Sequence, residues 1–262
     1  MYKVFQNYKP IITIIIATYN EQNNIVRTLS SIQEQKYRDI EVIVVDGAST
    51  DGTVGILKEN QDIINKWISE KDSGIYDAWN KALKLCSGEW IMFLGAGDYL
   101  NPSAVEKYVN CINNSESDIN FVSANGVIVC DNGKIVSKVG QSFQKQRFLK
   151  YMTICHPSAL HHKSLFEEFG NFDSFYHISA DYAFLLRSLN SINAAYIDKV
   201  LVTILDEGVS AYSFDCLHET RKAKLPYRKR WLVEWEWMLS IIKLYLKLRF
   251  FKIRNRINNL CL

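Results

Sequence analysis

Two short runs of β-branched apolar residues, each of which stops abruptly at polar residues, constrain the fold of this chain most. Residues 13–17 (TIIIA) stop at Thr18, and residues 41–45 (EVIVV) stop at Asp46. Strands that are buried on both faces of a parallel sheet have this composition. Between them, apolar residues at helical spacing predict a helix over residues 23–35. This order predicts an α/β fold whose strands end at one rim.

A second strand-helix-strand pattern covers residues 68–98, and its last strand ends in Asp98. Ligands of open α/β sheets bind at the carboxyl ends of the strands, where loops present side chains without disturbing the core. A carboxylate there suits a divalent cation that binds a phosphate. The three strand ends, at residues 19–20, Asp46 and Asp98, are therefore expected to line one site.

Five segments in register resemble the family 2 glycosyltransferases, the inverting nucleotide-sugar enzymes with the GT-A fold. They are TIIIATYNE (13–21), VIVVDGASTDGT (42–53), SEKDSGIYDAWNKAL (69–83), SGEWIMFLGAGD (87–98) and HISADYAFLLR (177–187). The resemblance implies a GT-A domain over residues 10–220, with a Rossmann-like, mixed and mostly parallel sheet flanked by helices. Its donor half is expected over about 10–100 and its acceptor half over about 101–220.

The resemblance places the donor nucleotide at the first strand ends. Asp46 matches the family aspartate whose carboxylate accepts hydrogen bonds from the nucleobase, usually uracil. A turn aspartate that caps the next helix is the alternative for this residue. Asp72 matches the acidic residue near the nucleoside or the donor sugar. The residues that match the lining of the base and ribose are Thr18, Tyr19 and Glu21.

The resemblance also implies a metal at the donor diphosphate. Asp98 matches the last acid of the family's metal motif, which usually has an aspartate one or two places earlier, where this chain has Ala96 and Gly97. Mn²⁺ or Mg²⁺ would then be held mostly by Asp98, the diphosphate and water, so we expect weak metal affinity without nucleotide. The missing acid leaves a catalytically degenerate sugar-nucleotide binding protein as an alternative. Lys71 either pairs with phosphate or is a solvated surface lysine.

The second half of the chain supplies the acceptor side. Asp181 begins a helix and matches the second acid of a family pair, whose first position is Ala180 here. The resemblance implies that Asp181 removes the acceptor hydroxyl proton in a single inverting displacement. A carboxylate stabilised by the helix dipole is the alternative. The segment that begins at His156 resembles the family's acceptor-side strand, so His156 either lines the sugar site, touches phosphate or is a packed or surface histidine. His156, His161 and His162 do not have the ligand pattern of a zinc site.

Composition agrees with one enzyme domain and an appendage. The 262 residues are 48% hydrophobic and 23% charged, enough for a substantial core. The six cysteines form no C-x-x-C pair, and no signal peptide precedes Pro10. We therefore expect a cytoplasmic location with free thiols.

The appendage, residues 221–262, is expected to be a basic amphipathic helical tail. Residues 221–256 contain twelve lysines or arginines and two glutamates, although the whole chain carries a net charge of only +3. Apolar residues recur at helical spacing: Trp231, Leu232, Trp235, Met238, Leu239, Ile242, Tyr245, Leu246, Phe250 and Ile253. The apolar run is too short to span a bilayer, so the pattern predicts a helix on an anionic membrane surface. A helix that packs on its own domain is one alternative. Nucleic-acid binding is a second alternative, but no other feature of the chain supports it.

Together these features predict a glycosyltransferase at the inner face of the cell membrane. It would move a hexose or N-acetylhexosamine from a nucleoside diphosphate sugar, UDP-linked, to a sugar hydroxyl of a polyprenyl-diphosphate-linked acceptor. The expected role is surface polysaccharide synthesis of the O-antigen or capsule type. A nucleotidyltransferase is a further alternative, but it usually has a glycine-rich phosphate loop after its first strand, where this chain reads ATYNEQNN.

Overall fold

The computed structural model describes residues 11–130, 132–206 and 213–258, with no side chain beyond residue 247 except that of residue 249. The strands are β1 (Ile12–Thr18), β2 (Ile40–Asp46), β3 (Lys66–Ser69), β4 (Trp90–Gly95), β5 (Tyr99–Leu100), β6 (Phe121–Val129), β7 (Ile135–Val139), β8 (Ala159–His162) and β9 (Ala194–Leu205). The helices are α1 (Ile25–Gln33), α2 (Thr53–Glu59), α3 (Ile75–Leu83), α4 (Ala104–Asn113), α5 (Lys145–Phe148), α6 (Ser164–Phe169), α7 (Ala180–Arg187), α8 (Phe214–Lys224) and α9 (Arg230–Asn258). A 3₁₀ turn covers His156–Ser158.

The strands form one mixed sheet in the order β3-β2-β1-β4-β8-β6-β9-β5, with β7 beside β6. Strands β3, β2, β1 and β4 pair in parallel in that order, and β6 pairs in parallel with β9. It is antiparallel at the other four pairings. The sheet is mixed, as predicted: three of its four parallel pairings lie in the donor half, and antiparallel β8 joins β4 of that half to β6.

Two apolar cores cover the two faces of the sheet. Alternate residues of β1 point to opposite faces, with Ile14 in one core and Ile15 in the other. Helices α1 and α4 pack on the first face, and α3, α6 and α7 on the second. The β-branched runs found in the sequence are strands because both of their faces are covered. The carboxyl ends of β1, β2 and β4 are left at one rim.

Helix α8 packs against the second face through Ala223, and α9 contacts α8. Ala223 of α8 and Val233 of α9 are buried, and Arg221 forms two hydrogen bonds with Glu234 at 2.8 and 2.6 Å. The predicted boundary between residues 220 and 221 falls inside α8. Residues 10, 131, 207–212 and 259–262 of the predicted segments, and the side chains of Phe250 and Ile253, lie outside the described residues. No helix in the described part of the chain has the length and hydropathy to cross a membrane.

Candidate active site

The loops after β1 and β2 are joined by reciprocal hydrogen bonds. Asn20 N donates to Ser49 Oγ at 2.8 Å, and Thr50 N donates to Asn20 Oδ1 at 2.8 Å. Glu21 N donates to Thr53 Oγ1 at 2.9 Å. These bonds hold two loops of a parallel strand pair as one rigid platform at the rim of the sheet, where ligands of α/β folds bind.

Gly47 lies at the centre of this platform, between Tyr19 and Asp72. A Cβ atom on Gly47 would be 2.8 Å from Asp72 Oδ2 and 3.3 Å from Tyr19 Cδ2. The next residue, Ala48, has a φ of 64°, a left-handed conformation that is rare for alanine. The Tyr19 side chain is 60% exposed, so its ring can stack on a planar ligand. The structure thus brings together Tyr19 and Asp72, two of the predicted donor residues.

Asp46 lies beneath the platform and is fully buried. Its Oδ2 accepts hydrogen bonds from Ser69 Oγ at 2.6 Å and Ser49 N at 2.9 Å, and its Oδ1 accepts one from the Ser49 hydroxyl. The carboxylate therefore joins the ends of β2 and β3 and shapes the loop. Its predicted contact with a nucleobase stays a prediction, because that contact would require the Ser49 hydroxyl to turn away.

Thr18 and Lys71 are two further predicted donor residues. Thr18 Oγ1 is buried and has no hydrogen-bond partner among the described residues, so its hydrogen-bonding capacity is unused. The side chain of Lys71 is exposed, and its carbonyl oxygen accepts a hydrogen bond from Lys81 Nζ at 2.9 Å. The exposed ammonium group is compatible with either of its predicted roles.

Asp98 follows the turn at the end of β4 and is 8% exposed. Its Oδ2 accepts a hydrogen bond from Gly95 N at 3.2 Å. Burial raises the pKa of Asp98 to about 7. Hydrogen bonds with the backbone of Gly95 and Leu205 lower this pKa, and the negative charge of Glu21 raises it further. The raised pKa means that this carboxylate lacks compensating positive charge, which a divalent cation provides.

Gly97, one of the two positions at which the family has its other metal-motif acid, cannot readily hold a side chain; the other position is Ala96. A Cβ atom on Gly97 would be 2.9 Å from Leu205 Cδ1, and the φ of 103° disfavours any L side chain. In the described part of the chain, no group of three or more His, Cys, Asp or Glu could hold a metal ion. Asp98, with Glu21 close by, fits Mn²⁺ or Mg²⁺ only if donor phosphates supply oxygen ligands.

Asp181 is the second residue of α7 and is partly buried. Its Oδ1 accepts a hydrogen bond from Tyr182 N at 2.7 Å and lies 3.1 Å from the Tyr76 hydroxyl. Burial raises the pKa of Asp181 to about 6; the Tyr182 and Tyr76 hydrogen bonds oppose the rise, and the charge of Glu219 adds to it. Such a carboxylate is a stronger base than an exposed aspartate. Tyr76, in the first turn of α3, connects it with the loop that carries Asp72.

His156 lies in the core. It is 4% exposed and stacks on Trp79 and Phe93, with ring centroids 5.3 and 5.6 Å apart. Burial lowers the pKa of His156 to about 3, so the ring is neutral. Neither ring nitrogen has a hydrogen-bond partner among the described residues. The predicted contact with sugar or phosphate stays a prediction, and the position matches the packed alternative.

Two residues at this site were not predicted. Tyr76 belongs to the segment SEKDSGIYDAWNKAL, so a signal was present, although nothing in the sequence says that its hydroxyl meets Asp181. Glu219 lies 38 residues after Asp181 in no recognisable motif. Only the fold brings it to the start of α7.

Two solved proteins, TarS and PcManGT, have folds similar to that of this chain. S. aureus TarS 1–349 in complex with UDP-GlcNAc has a TM-score of 0.67 at 20% identity, over 86% of this chain and 70% of that one. The chain spans 42% of a longer TarS chain. The mannosyltransferase PcManGT from Pyrobaculum calidifontis, in complex with GDP-Man and Mn²⁺, has a TM-score of 0.62 at 22% identity, over 82% and 63%. At these identities the likeness shows the fold, and the predicted α/β GT-A fold is confirmed.

Sequence comparison assigns the family. The family model of glycosyl transferase family 2 matches residues 13–170. The chain therefore belongs to glycosyl transferase family 2. A PGL/p-HBAD biosynthesis glycosyltransferase of Mycobacterium bovis is 29% identical over 185 residues, which make up 70% of this chain and 71% of the relative.

Proposed function

We propose that this protein transfers a hexose or N-acetylhexosamine from a UDP-linked donor to a sugar hydroxyl of a polyprenyl-diphosphate-linked acceptor, with inversion. We further propose a role in bacterial surface polysaccharide synthesis. The observation that carries this proposal is the joint placement of Tyr19 and Asp72 around Gly47, with Asp181 tied to the same loop through Tyr76. Family membership argues against the nucleotidyltransferase alternative.

The donor nucleotide is assigned to the platform of β1 and β2. The exposed Tyr19 ring supplies a surface for a planar base, and Thr18 Oγ1 supplies a buried polar atom for the nucleoside. Glu21 and Asp46 hold the loops that shape this surface. UDP-GlcNAc in TarS and GDP-Man in PcManGT support a nucleotide-sugar donor.

The diphosphate is assigned to the side of Asp98. Mn²⁺ or Mg²⁺ held there would neutralise the charge that develops on the leaving diphosphate. Asp98 and Glu21 are the carboxylates available to it, and Lys71 is an exposed cation in the loop after β3. The Mn²⁺ in the PcManGT complex supports a metal at this type of site.

Asp181 is assigned as the general base. Its hydrogen bonds go to Oδ1, so Oδ2 is the atom to receive the acceptor proton. Attack by the deprotonating hydroxyl on the face opposite the diphosphate inverts the anomeric configuration.

A donor panel tests this proposal. Purified full-length protein is incubated with UDP-Glc, UDP-Gal, UDP-GlcNAc or GDP-Man, Mn²⁺ and a synthetic lipid diphosphate sugar, and nucleoside diphosphate release is measured. We expect one UDP-sugar to be consumed above the others, with a new β-linked sugar on the acceptor. Tight UDP binding without turnover of any donor would instead support the catalytically degenerate alternative.

The outer face of α9 supports a membrane partner. Its exposed apolar residues follow the helical period, so they form one stripe: Trp231, Trp235, Met238, Leu239, Ile242, Tyr245 and Leu246. Val233 and Leu244, on the opposite side of the helix, are buried. A solvated helix normally presents polar residues outward, so this stripe fits an apolar partner. The exposed Lys243 and Arg249 favour an anionic membrane surface.

Point substitutions test the membrane surface better than truncation, because removing α9 would also remove buried Val233. In the full-length protein, Trp235→Ser with Ile242→Ser should abolish cosedimentation with phosphatidylglycerol vesicles at low salt. Lys243→Glu should weaken vesicle binding roughly fivefold or more, about 1 kcal/mol for each basic residue near the surface.

Lys58→Glu, at an exposed position of α2, is the matched charge control and should bind vesicles like wild type. The membrane assignment is wrong if the wild type ignores anionic vesicles at low salt. A concentration-dependent dimer that disappears in the Trp235→Ser, Ile242→Ser variant would show that a second copy covers the stripe instead.

A further inference from the structure

Glu219 of α8 binds the backbone that leads into the helix of Asp181. Its Oε1 accepts a hydrogen bond from His177 N at 2.8 Å, and its Oε2 accepts bonds from Ile178 N at 2.8 Å and Ser179 N at 2.9 Å. Ser179 is the N-cap residue of α7 and makes no side-chain cap hydrogen bond. A carboxylate from another helix therefore satisfies three consecutive donors before α7.

We propose that Glu219 is a positioning residue that holds the entrance of α7 so that Asp181 faces the acceptor hydroxyl. The C-terminal helix α8 is then part of the catalytic apparatus. This inference rests on the proposed function, because it takes Asp181 as the general base. Glu219 touches no reacting atom in this scheme and acts through Asp181.

A continuous set of contacts joins the two carboxylates. Glu219 holds the N–H of Ile178, and the carbonyl oxygen of Ile178 lies 2.7 Å from the Tyr76 hydroxyl. That hydroxyl shares its single proton between Ile178 O and Asp181 Oδ1, at 3.1 Å. Releasing the Glu219 end would let residues 177–179 move and carry Asp181 with them. A shift of about 1 Å in a reacting group lowers turnover by about a hundredfold.

Glu219 also acts on Asp181 through its charge. Among the described residues, the titratable groups that face Asp181 from packed elements are Tyr76 of α3 and Cys216 and Glu219 of α8. Burial raises the pKa of the Cys216 thiol and of the Tyr76 hydroxyl, so both are uncharged at neutral pH. Burial is the largest cause of the raised pKa of Asp181, and the negative charge of Glu219 raises it further. Neutralising Glu219 should therefore lower the pKa of Asp181.

Glu219→Gln in the full-length protein tests this role. The amide nitrogen of glutamine cannot accept a hydrogen bond, so at least one of the three backbone donors loses its partner. We expect kcat to fall about ten- to a hundredfold, with the donor KM unchanged. The acid limb of the pH profile of kcat should move to lower pH, because the pKa of Asp181 falls. A wild-type kcat with an unmoved acid limb would overturn the inference.

Glu168→Gln on α6 is the matched control. It removes the same charge and affects one hydrogen bond, from Ser191 Oγ at 3.3 Å, so kcat and its pH profile should match wild type. Glu219→Asp keeps the charge but shortens the side chain by one methylene. It should lower kcat while leaving the acid limb in place, and it replaces Glu219→Gln if that variant fails to fold.

Amide hydrogen exchange over residues 175–182 separates this inference from the proposed function. Exchange should be faster in Glu219→Gln than in wild type and in Glu168→Gln. If the wild type transfers no sugar from any donor, the proposed function fails. Unchanged exchange in Glu219→Gln would still overturn the role of Glu219 in holding the segment, with or without measurable transfer.

Discussion

Asp181→Asn is expected to lower kcat by about two to four orders of magnitude, the range of general base catalysis, while donor affinity stays unchanged. The asparagine side chain can still accept the hydrogen bonds that Tyr182 N and Tyr76 give to Asp181 Oδ1. It cannot take a proton from the acceptor hydroxyl. Steady-state rates at saturating donor and acceptor measure the first effect, and UDP titration calorimetry measures the second.

The pH dependence provides an independent check. Burial raises the pKa of Asp181 to about 6, and only the carboxylate form accepts a proton. Wild-type kcat should therefore fall as the pH drops through about 6, and this limb should be absent in Asp181→Asn. Because the folded pKa lies above the ordinary value, the charged carboxylate destabilises the fold at higher pH. The asparagine variant should unfold at the same or a higher temperature.

Asp46→Ala is the contrasting variant. Loss of this carboxylate removes the bonds to Ser49 and Ser69 that shape the platform, so donor binding should weaken first. Turnover at saturating donor should fall less than in Asp181→Asn. Equal loss of donor affinity in both variants would contradict this division of roles.

The donor half could be predicted from sequence because its signals are local. The runs at 13–17 and 41–45 are strands β1 and β2, each one residue longer at both ends. The apolar spacing over 23–35 marks α1 over a slightly shorter range, Ile25–Gln33. Parallel connections then place the strand ends together, which is why Tyr19 and Asp72 meet at Gly47.

Contacts between distant segments could not be predicted in this way. Strand β8 pairs with β4 and β6 in antiparallel orientation, and no local pattern specifies that insertion. The three hydrogen bonds of Glu219 connect residues about 40 positions apart. The burial of His156 depends on Trp79 and Phe93, which come from two other elements.

The last helix shows a different reason for ambiguity. Periodicity identified one apolar face, but it cannot say which face of a helix meets the domain. In the structure the inward side carries Val233 and Leu244, whereas most residues of the predicted face are exposed. Among the described residues, α9 packs on its domain with one side and exposes most of the predicted face, so the membrane-surface interpretation stays a prediction.

Asp98→Ala is expected to lower metal-dependent transfer by about two orders of magnitude or more, because a metal ion at the leaving oxygen contributes several kcal/mol. UDP affinity measured with Mn²⁺ should fall to the value measured with EDTA. The fold should persist, because removing a carboxylate whose pKa burial raises to about 7 relieves an unfavourable charge. Rates at several Mn²⁺ concentrations and calorimetric titrations with UDP measure these effects.

Asp62→Ala provides the matched control, because it removes an exposed carboxylate after α2. It should keep wild-type turnover and metal dependence. Since neither Ala96 nor Gly97 supplies a second motif carboxylate, wild-type protein titrated with Mn²⁺ should show little binding until UDP is added. Tight Mn²⁺ binding without nucleotide would point to further protein ligands, and unchanged turnover in Asp98→Ala would remove Asp98 from the site.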